Sequence, residues 1–573
     1  MSTDLITKIL PTFLLTIIIS LIILIFLYRT IIFDNFKKIK KTTWILLAFV
    51  LLISLMLRLI SVNHDEYLIY NDGPLHIGLA QMIYEYNLHS VCKNAENGNC
   101  IETTFIAKPS GYHMLIAQTY KIFNPDKATA SYFTCFLGTA SVFLSFLLSY
   151  LWIKKEKIAL VSALAFGLIP VHIKFSSDIT TGIASVFFLL LVFIFFEIFL
   201  KQKRKKTFVL LFTSLLFFIY TRPETILIVP ILFFMYFLRQ KSLLSIKDVT
   251  KKQIKNNGFY IIFFVFFIIL VYPYYNLVQE GRLIHEGWNP TFSNFFYYLK
   301  THYASNLYFF VNPIHNSFIF ILLTIIGVTA TIIKSKTEFI SYFIFFLLFF
   351  VFYSGHSDTG LFIFQHIFSI TNNHFFHDTS HYALILYIPL LFFFTHGVKN
   401  FVFLFKKQKN ILIIIAVLLV IGLFPSKQFL VAENQLKSSS ILYNHLKNNY
   451  DNNQIVLIST SPIPASMNFQ NFITPKHFFY NTQQNEKFNV FLKQKKIYII
   501  YDNVFLYCNW HLSEENSEKY MQYIYDNYNF KEIKSVPEEY NIPFPVPKPT
   551  LYEIEKKENP SKDDMMAHDY FCL

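Results

Sequence analysis

The stretch Thr181–Glu224 reads TGIASVFFLLLVFIFFEIFLKQKRKKTFVLLFTSLLFFIYTRPE. Two apolar runs, 181–200 and 207–221, flank the basic cluster KQKRKK. A bilayer crossing takes roughly 20 apolar residues, and basic clusters beside a span favour the cytoplasmic side. The stretch therefore predicts a hairpin of two membrane spans, with its Thr-Arg-Pro-Glu end on the outer side.

The whole chain has the composition of this stretch. Of its 573 residues, 54% are hydrophobic and 15% are charged, whereas soluble domains carry roughly 25% charged residues. A soluble protein of this size cannot bury so many apolar side chains, and disordered chains have few aromatic residues. The net charge of +14 lies in short clusters between apolar runs, which indicates membrane topology and no nucleic-acid partner.

Hydropathy predicts about twelve spans whose connecting segments alternate in charge. The basic connections are assigned to the cytoplasm, so the N-terminus, the loop 63–128, the loops 276–315 and 355–381 and the region after residue 426 are assigned to the outside. The candidate spans lie near 9–28, 43–62, 129–153, 158–176, 181–200, 207–221, 224–238, 258–275, 316–334, 338–354, 382–398 and 410–425.

The region 426–573 differs from the rest because short β-rich runs alternate with polar turns. QIVLIS at Gln454–Ser459 and KIYIIY at Lys496–Tyr501 predict buried strands of the parallel type, and Ser513–Asn527 predicts a helix. We therefore predict a mostly α-helical fold: a polytopic transmembrane bundle over 1–425 that carries the active site, and a small extracytoplasmic α/β domain over 426–573.

Four of the five cysteines lie in predicted outer segments. Cys92 and Cys100 share the loop 63–128, and Cys508 and Cys572 share the C-terminal region. An oxidising compartment permits one disulfide in each segment. The spacing of these cysteines matches no zinc site.

The loop 63–128 holds the first candidate for chemistry. DGPLHIGLAQMIYEYNL at Asp72–Leu88 has the apolar spacing of a helix that lies along the membrane surface. Asp72 starts this helix and His76 follows one turn later on the same face. Asp72 serves either as an N-cap, or as a general base or metal ligand. Asp65 and Glu66 are a competing acidic pair upstream.

The second candidate is Thr221-Arg222-Pro223-Glu224, wedged between two apolar runs. Charges at the membrane edge are costly and tend to be functional. The planar fork of Arg222 suits a phosphate. The alternative is that Arg222 pairs with Glu224 or snorkels to the interface.

The late outer loops are the third candidate, because they are rich in histidine and acidic residues. Such residues either ligate a metal or face solvent. The cofactor stays unknown, with a divalent ion such as Mg²⁺ or Mn²⁺ as the candidate. The residues are Arg282, His285, Glu286 and His302, then His356, Asp358, His366, His374, His377, Asp378 and His381.

These motifs together resemble the GT-C superfamily of membrane glycosyltransferases. Asp72 followed by an interfacial helix is similar to the superfamily's acidic outer loop. Lys108-Pro109-Ser110-Gly111-Tyr112 resembles its Pro-Pro-Gly-Tyr-like stretch, with Ser110 as a departure. Thr221–Glu224 followed by Val229-Pro230 resembles its "TRPE…P" feature, and Ser380-His381-Tyr382 before Pro389 resembles its "RY…P" feature, with His381 in place of Arg. Because no Trp-Trp-Asp motif is present, the branch with protein O-mannosyltransferases and lipid-A sugar transferases is the closer one.

The resemblance implies a multi-pass enzyme of the cell membrane that acts on the extracytoplasmic side. It would transfer a sugar, with inversion, from a polyprenyl-phosphate-linked donor to a glycan, lipid or protein acceptor. Asp72 would be the general base, with Asp65 and Glu66 as the alternatives. The substrate-binding residues would be His76, Lys108, Arg222, Glu224, Arg282, His381 and Tyr382. An O-antigen-type polymerase or ligase and a carrier of lipid-linked sugars are the rival functions.

Overall fold

The structure is a computed structural model of the chain. It describes residues 3–62, 73–96, 99–104, 110–239, 271, 292–313, 315–356, 379–405 and 408–424. In the C-terminal region it describes short segments between 442 and 557, the longest of them 454–459, 492–501, 523–535 and 550–557.

Helices account for most of the described residues. Two 3-10 helices, Pro223–Leu227 and Thr379–Leu386, lie among the α-helices. In chain order the α-helices are α1 (Thr3–Leu27), α2 (Arg29–Phe33), α3 (Lys41–Ser61), α4 (Gly73–Tyr86), α5 (Ser110–Tyr120), α6 (Lys127–Ile153), α7 (Glu156–Gly167), α8 (Pro170–Ser177), α9 (Thr181–Gln202), α10 (Lys205–Ile219), α11 (Ile228–Arg239), α12 (Phe292–Val311), α13 (Phe318–Lys334), α14 (Lys336–His356), α15 (Tyr387–Phe403) and α16 (Gln408–Ile421).

Six helical segments are long and apolar enough to cross a membrane, which makes the chain a multi-pass membrane protein. A seventh crossing is present if α7 and α8, bent by 59° at a short break, form one span. The predicted count of twelve is not reached by helices of this length in the described residues, and the predicted span 258–275 lies almost wholly outside them. The six segments are Lys8–Leu27, Lys41–Ser61, Lys127–Ile153, Thr181–Gln202, Lys336–Gly355 and Ala383–Phe403.

The apolar helices occupy two kinds of position in the bundle. In the most apolar 18-residue stretch of α9, 83% of the residues are buried, whereas the value for α1 and for α3 is 28%. A helix that is hydrophobic all round can sit in the protein interior or face lipid tails. α9 therefore forms the centre of the bundle, and α1 and α3 present most of their surface to the membrane.

A seven-stranded sheet joins the C-terminal region to the loop 63–128. Its strands are β1 (Val91–Glu96), β2 (Asn99–Thr104), β3 (Ile455–Ser459), β4 (Phe472–Ile473), β5 (Lys496–Tyr501), β6 (Tyr528–Ser535) and β7 (Thr550–Lys556), in the order β2-β1-β4-β3-β5-β7-β6.

The two strands predicted from the sequence, β3 and β5, pair in parallel, with Ile455 opposite Lys496. β1 joins the sheet through Ala95, which pairs antiparallel with Phe472. Of the predicted helix Ser513–Asn527, only residues 523–527 are described, and they are helical. The division of the chain at residue 425 stays a prediction.

α13 and α15 cross at a pair of glycines. A Cβ atom built on Gly327 would lie 1.7 Å from the backbone oxygen of Phe393, and one built on Gly397 would lie 1.7 Å from that of Leu323. Small residues let helix backbones approach this closely inside a membrane. The two glycines therefore fix the contact between these helices.

We expect Gly327→Ala and Gly397→Ala each to lower the stability of the purified protein by about 1–3 kcal/mol or more, because a backbone atom has to move. The measurement is thermal unfolding in detergent. Gly167→Ala is the matched control, since the atoms nearest to a Cβ there would be side-chain atoms of Val142 and Ser54, at 3.3–3.4 Å. Equal losses for all three variants would contradict the account of this crossing.

Candidate active site

The first turns of α4 and α5 meet through two histidines. His76 Nδ1 lies 2.7 Å from His113 Nε2, so one ring donates a hydrogen bond and the other accepts it. Both side chains are buried. His89, which follows α4, lies with its ring centroid 5.7 Å from that of His113. The histidines tie the start of α4 to the start of α5.

Tyr112 extends this contact to the membrane bundle. Its hydroxyl lies 2.6 Å from Thr134 Oγ1 on α6, and its ring meets the His76 ring edge-on at 5.7 Å. Burial is the main cause that raises the pKa of Tyr112, and the charge of Asp178 adds to the increase. Asp178, at the end of α8, therefore acts electrostatically on the same region.

A backbone hydrogen bond seats α5 on the Thr-Arg-Pro-Glu turn. Gly111 N–H donates to Tyr220 O at 2.8 Å. A Cβ atom at Gly111 would lie 2.9 Å from the same oxygen, so a larger residue would press on the turn. Thr221 Oγ1 lies 3.0 Å from Ser185 Oγ at the start of α9. Two motifs separated by about a hundred residues are thus in direct contact.

The charged side chains of this turn form a buried pair. Arg222 Nε lies 2.6 Å from Glu224 Oε1, with side chains that are 4% and 6% exposed. Tyr353 OH on α14 donates to the same Glu224 oxygen at 3.4 Å. The pairing foreseen as an alternative is therefore present, and Arg222 does not snorkel to solvent. Removing one partner of such a pair is strongly unfavourable, because the other charge stays buried.

The N-terminal helix also reaches this region. The Phe13 ring on α1 packs edge-on against the Tyr220 ring, with centroids 5.7 Å apart. Asn87 Nδ2, just after α4, donates to Thr12 Oγ1 at 3.2 Å. α1 therefore contacts both the residue before the Thr-Arg-Pro-Glu turn and the end of α4.

Several residues singled out in the sequence lie outside the described part of the chain: Asp65, Glu66, Asp72, Lys108, Arg282, Cys508 and Cys572. α4 begins at Gly73, so Asp72 is the residue directly before that helix. His381 and Tyr382 belong to the 3-10 helix Thr379–Leu386, which packs against α8 and α9. The roles proposed for these side chains stay predictions.

The hairpin β1–β2 carries the cysteines of the loop 63–128. Cys92 pairs with Thr103, and Cys100 pairs with Ala95. The two cysteines are therefore not directly opposite each other in the hairpin. The side chains of both residues lie outside the description, and the disulfide stays a prediction.

The sequence reasoning missed three polar residues of this region and its surroundings: His113, Arg58 and His172. Arg58 on α3 is fully buried, and its Nη2 lies 2.5 Å from His172 Nδ1 on α8. Its Nη1 donates to Ser54 O at 2.7 Å. The signal for Arg58 was a charge inside an apolar span. His113 carried no comparable signal, because its partner is distant in sequence.

Within the described segments, no group of three or more His, Cys, Asp or Glu residues has an arrangement that could hold a metal ion. Most of the late outer loops, where a metal site was one of two alternatives, lie outside those segments. The requirement for a divalent ion therefore stays a prediction.

The fold is similar to that of solved membrane glycosyltransferases. ArnT from Cupriavidus metallidurans in the apo state is 11% identical, with a TM-score of 0.52 over 89% of this chain and 98% of that chain. ArnT bound to undecaprenyl phosphate is 11% identical, with a TM-score of 0.50 over 90% and 98%.

The archaeal oligosaccharyltransferase AglB from Archaeoglobus fulgidus, in complex with an inhibitory peptide and a dolichol-phosphate, gives a similar result. It is 11% identical, with a TM-score of 0.51 over 92% of this chain and 75% of that chain. No protein-family model matches the sequence, and no curated protein matches it. The chain thus has the fold of the GT-C glycosyltransferases, which its motifs indicated.

We expect His89 to make stability depend on pH. Burial lowers the pKa of His89 to about 4, whereas an exposed imidazole titrates near about 6.5. The unfolded chain therefore binds a proton at a higher pH than the folded chain does. The stabilisation is complete above about pH 6.5 and declines as the pH falls towards 4, by at most about 1.4 kcal/mol per pH unit.

The measurement is unfolding in detergent at several pH values for the natural protein and for His89→Phe, which keeps a ring beside His113. The variant should show a shallower decline between pH 6.5 and 4. Identical slopes would contradict the burial of a neutral His89 and would assign the decline to other groups.

Proposed function

We propose that the protein is a membrane glycosyltransferase. It takes a sugar from a polyprenyl-phosphate-linked donor and transfers it to a glycan, lipid or protein acceptor on the extracytoplasmic side. The hydrogen bond from Gly111 to Tyr220 carries the proposal, because it joins two of the motifs that resemble the GT-C pattern. The shared fold supports it, since the solved structures of ArnT and AglB hold undecaprenyl phosphate and dolichol-phosphate.

Asp72 acts as the general base in this proposal. The acceptor hydroxyl oxygen forms a bond to the anomeric carbon while the bond from that carbon to the phosphate oxygen breaks. The electron pair of the broken bond remains on the phosphate, and the hydroxyl proton passes to Asp72. Attack from the face opposite the phosphate inverts the configuration. A positioned base contributes roughly 10²–10⁴-fold to the rate.

The histidine pair supports this base indirectly. Asp72 directly precedes α4, and the hydrogen bond between His76 and His113 holds the first turn of α4 against α5. A general base has to lie within hydrogen-bond reach of the proton that it takes. His76 and His113 are therefore positioning residues in this proposal.

Arg222 stabilises the leaving phosphate. The phosphate gains negative charge as the glycosidic bond breaks, and a preorganised cation in a buried site stabilises that charge more strongly than water does. Glu224 holds the guanidinium through its Nε, and Tyr353 holds Glu224 in turn. The pair thus fixes the direction in which Arg222 presents its charge.

The direct assay uses membranes that contain the protein and their natural acceptors. Each donor supplied is an undecaprenyl phosphate that carries one radiolabelled monosaccharide. The assay is run with and without EDTA, and with and without added Mg²⁺ or Mn²⁺. If the protein is a glycosyltransferase, label should move from one of these donors into a new product. A carrier would move the labelled lipid across the bilayer without a product. Polymer formation from oligosaccharide donors alone would favour the polymerase alternative.

We expect Asp72→Asn to fold normally and to reduce transfer at least about a hundredfold, because asparagine can cap a helix but takes up no proton. Asp65→Asn and Glu66→Gln are the matched controls in the same loop and should stay active. Normal transfer by Asp72→Asn would show that Asp72 is not the base and only caps the helix. Loss of transfer in a control alone would place the base upstream.

We expect Arg222→Gln alone to cost about 3–5 kcal/mol of stability, because it leaves Glu224 buried without its cation. The double variant Arg222→Gln/Glu224→Gln should regain most of that stability, since no charge is left buried. Transfer by the double variant should remain lower by about a hundredfold. A double variant with normal stability and normal transfer would reduce Arg222 to a structural role.

A further inference from the structure

A cavity of about 680 Å³ lies where α1 leads into α2 and then α3. Arg29, Phe33, Asp34, Lys37 and Trp44 are among the residues that line it. Arg29 is roughly 24 Å from Phe13 along the helix axis at 1.5 Å per residue. The cavity is therefore far from the candidate active site, at the end of the bundle that the basic segments assign to the cytoplasm.

The charges around this cavity are mainly positive. The Arg29 guanidinium lies 4.7 Å over the Phe26 ring, and in the described part of the chain it makes no hydrogen bond or ion pair. Lys37 Nζ lies 3.4 Å from Asp34 Oδ1, but the two side chains are 68% and 67% exposed. Such an exposed pair contributes little, so Arg29 and Lys37 both remain able to bind an anion.

The same cavity has an apolar border that continues into the membrane. Phe33 is 65% exposed and Trp44 is 36% exposed. From the cavity, a row of exposed apolar side chains continues along α1 and another continues along α3. They are Phe26, Ile23 and Ile22 on α1, and Ile45, Phe49 and Leu52 on α3.

We infer that this cavity binds the head group of an acidic glycerophospholipid of the surrounding bilayer. The phosphate lies against Arg29 and Lys37, where charge-assisted hydrogen bonds are strong. The acyl chains lie along the exposed apolar side chains of α1 and α3. Inorganic phosphate has no apolar part that could contact that apolar border. A zwitterionic lipid brings a second cation to a cluster that is already positive, and anionic surfaces attract such clusters.

The test is native mass spectrometry of the full-length protein released from detergent, with phosphatidylglycerol or phosphatidylcholine added at equal concentration. Phosphatidylglycerol should bind at one site in preference to phosphatidylcholine. Arg29→Gln and Lys37→Gln should each weaken that binding roughly fivefold, as expected for the loss of one charge near a membrane surface. Lys155→Gln is the matched control, since Lys155 is exposed beside α7 and does not line the cavity.

Equal binding of the two lipids, or equal losses in Arg29→Gln and Lys155→Gln, would overturn the inference. So would binding of inorganic phosphate that competes with phosphatidylglycerol at the same concentration, or binding of undecaprenyl phosphate where phosphatidylglycerol does not bind. No arm of the experiment measures sugar transfer. Failure here is therefore separate from failure of the proposed function.

Discussion

The hydrogen bond from Gly111 N–H to Tyr220 O is the contact on which the candidate site depends. It brings the start of α5 onto the Thr221–Glu224 turn, and glycine is required because a Cβ atom would lie 2.9 Å from the accepting oxygen. His113 then meets His76 at the start of α4. One backbone contact thus brings a loop segment, a membrane-edge turn and the helix that follows Asp72 into one region.

The sequence predicted those parts of the molecule whose chemistry is local. The apolar runs predicted the six described segments that are long and apolar enough to cross a membrane, although not the full count of twelve. The β-rich runs at Gln454–Ser459 and Lys496–Tyr501 predicted two strands that do pair in parallel. The spacing over Asp72–Leu88 predicted α4, which spans Gly73–Tyr86. In each case the period or composition of one short segment was sufficient.

The features that the sequence left open depend on contacts between distant segments. For Arg222, phosphate binding and pairing with Glu224 were both compatible with the sequence. In the structure both side chains are buried and paired, and the Tyr353 hydroxyl donates to Glu224. The pairing of Ala95 with Phe472 joins strands far apart in the chain, and no local pattern encodes it. The role of His113 depends on its hydrogen bond with His76, which lies on another helix. The acidic residues upstream of α4 remain a matter of prediction.

α1 connects the two ends of the molecule. Its Thr12–Phe13 end contacts Asn87 and Tyr220 beside the candidate site, and its other end leads to Arg29 at the basic cavity. Only 28% of its most apolar window is buried, so most of its surface is available to lipid. A lipid bound at Arg29 would therefore contact a helix that also contacts Tyr220, next to the Thr221–Glu224 turn.

A structure of the protein in lipid nanodiscs with undecaprenyl phosphate bound would show whether Arg222 contacts the carrier phosphate. We expect the phosphate to lie beside Arg222, between the first turns of α4 and α5 and the Thr221–Glu224 turn, with the prenyl chain between membrane helices. A phosphate bound only at the opposite end of the bundle, or too far from Arg222 for any contact, would show that Arg222 does not have this role.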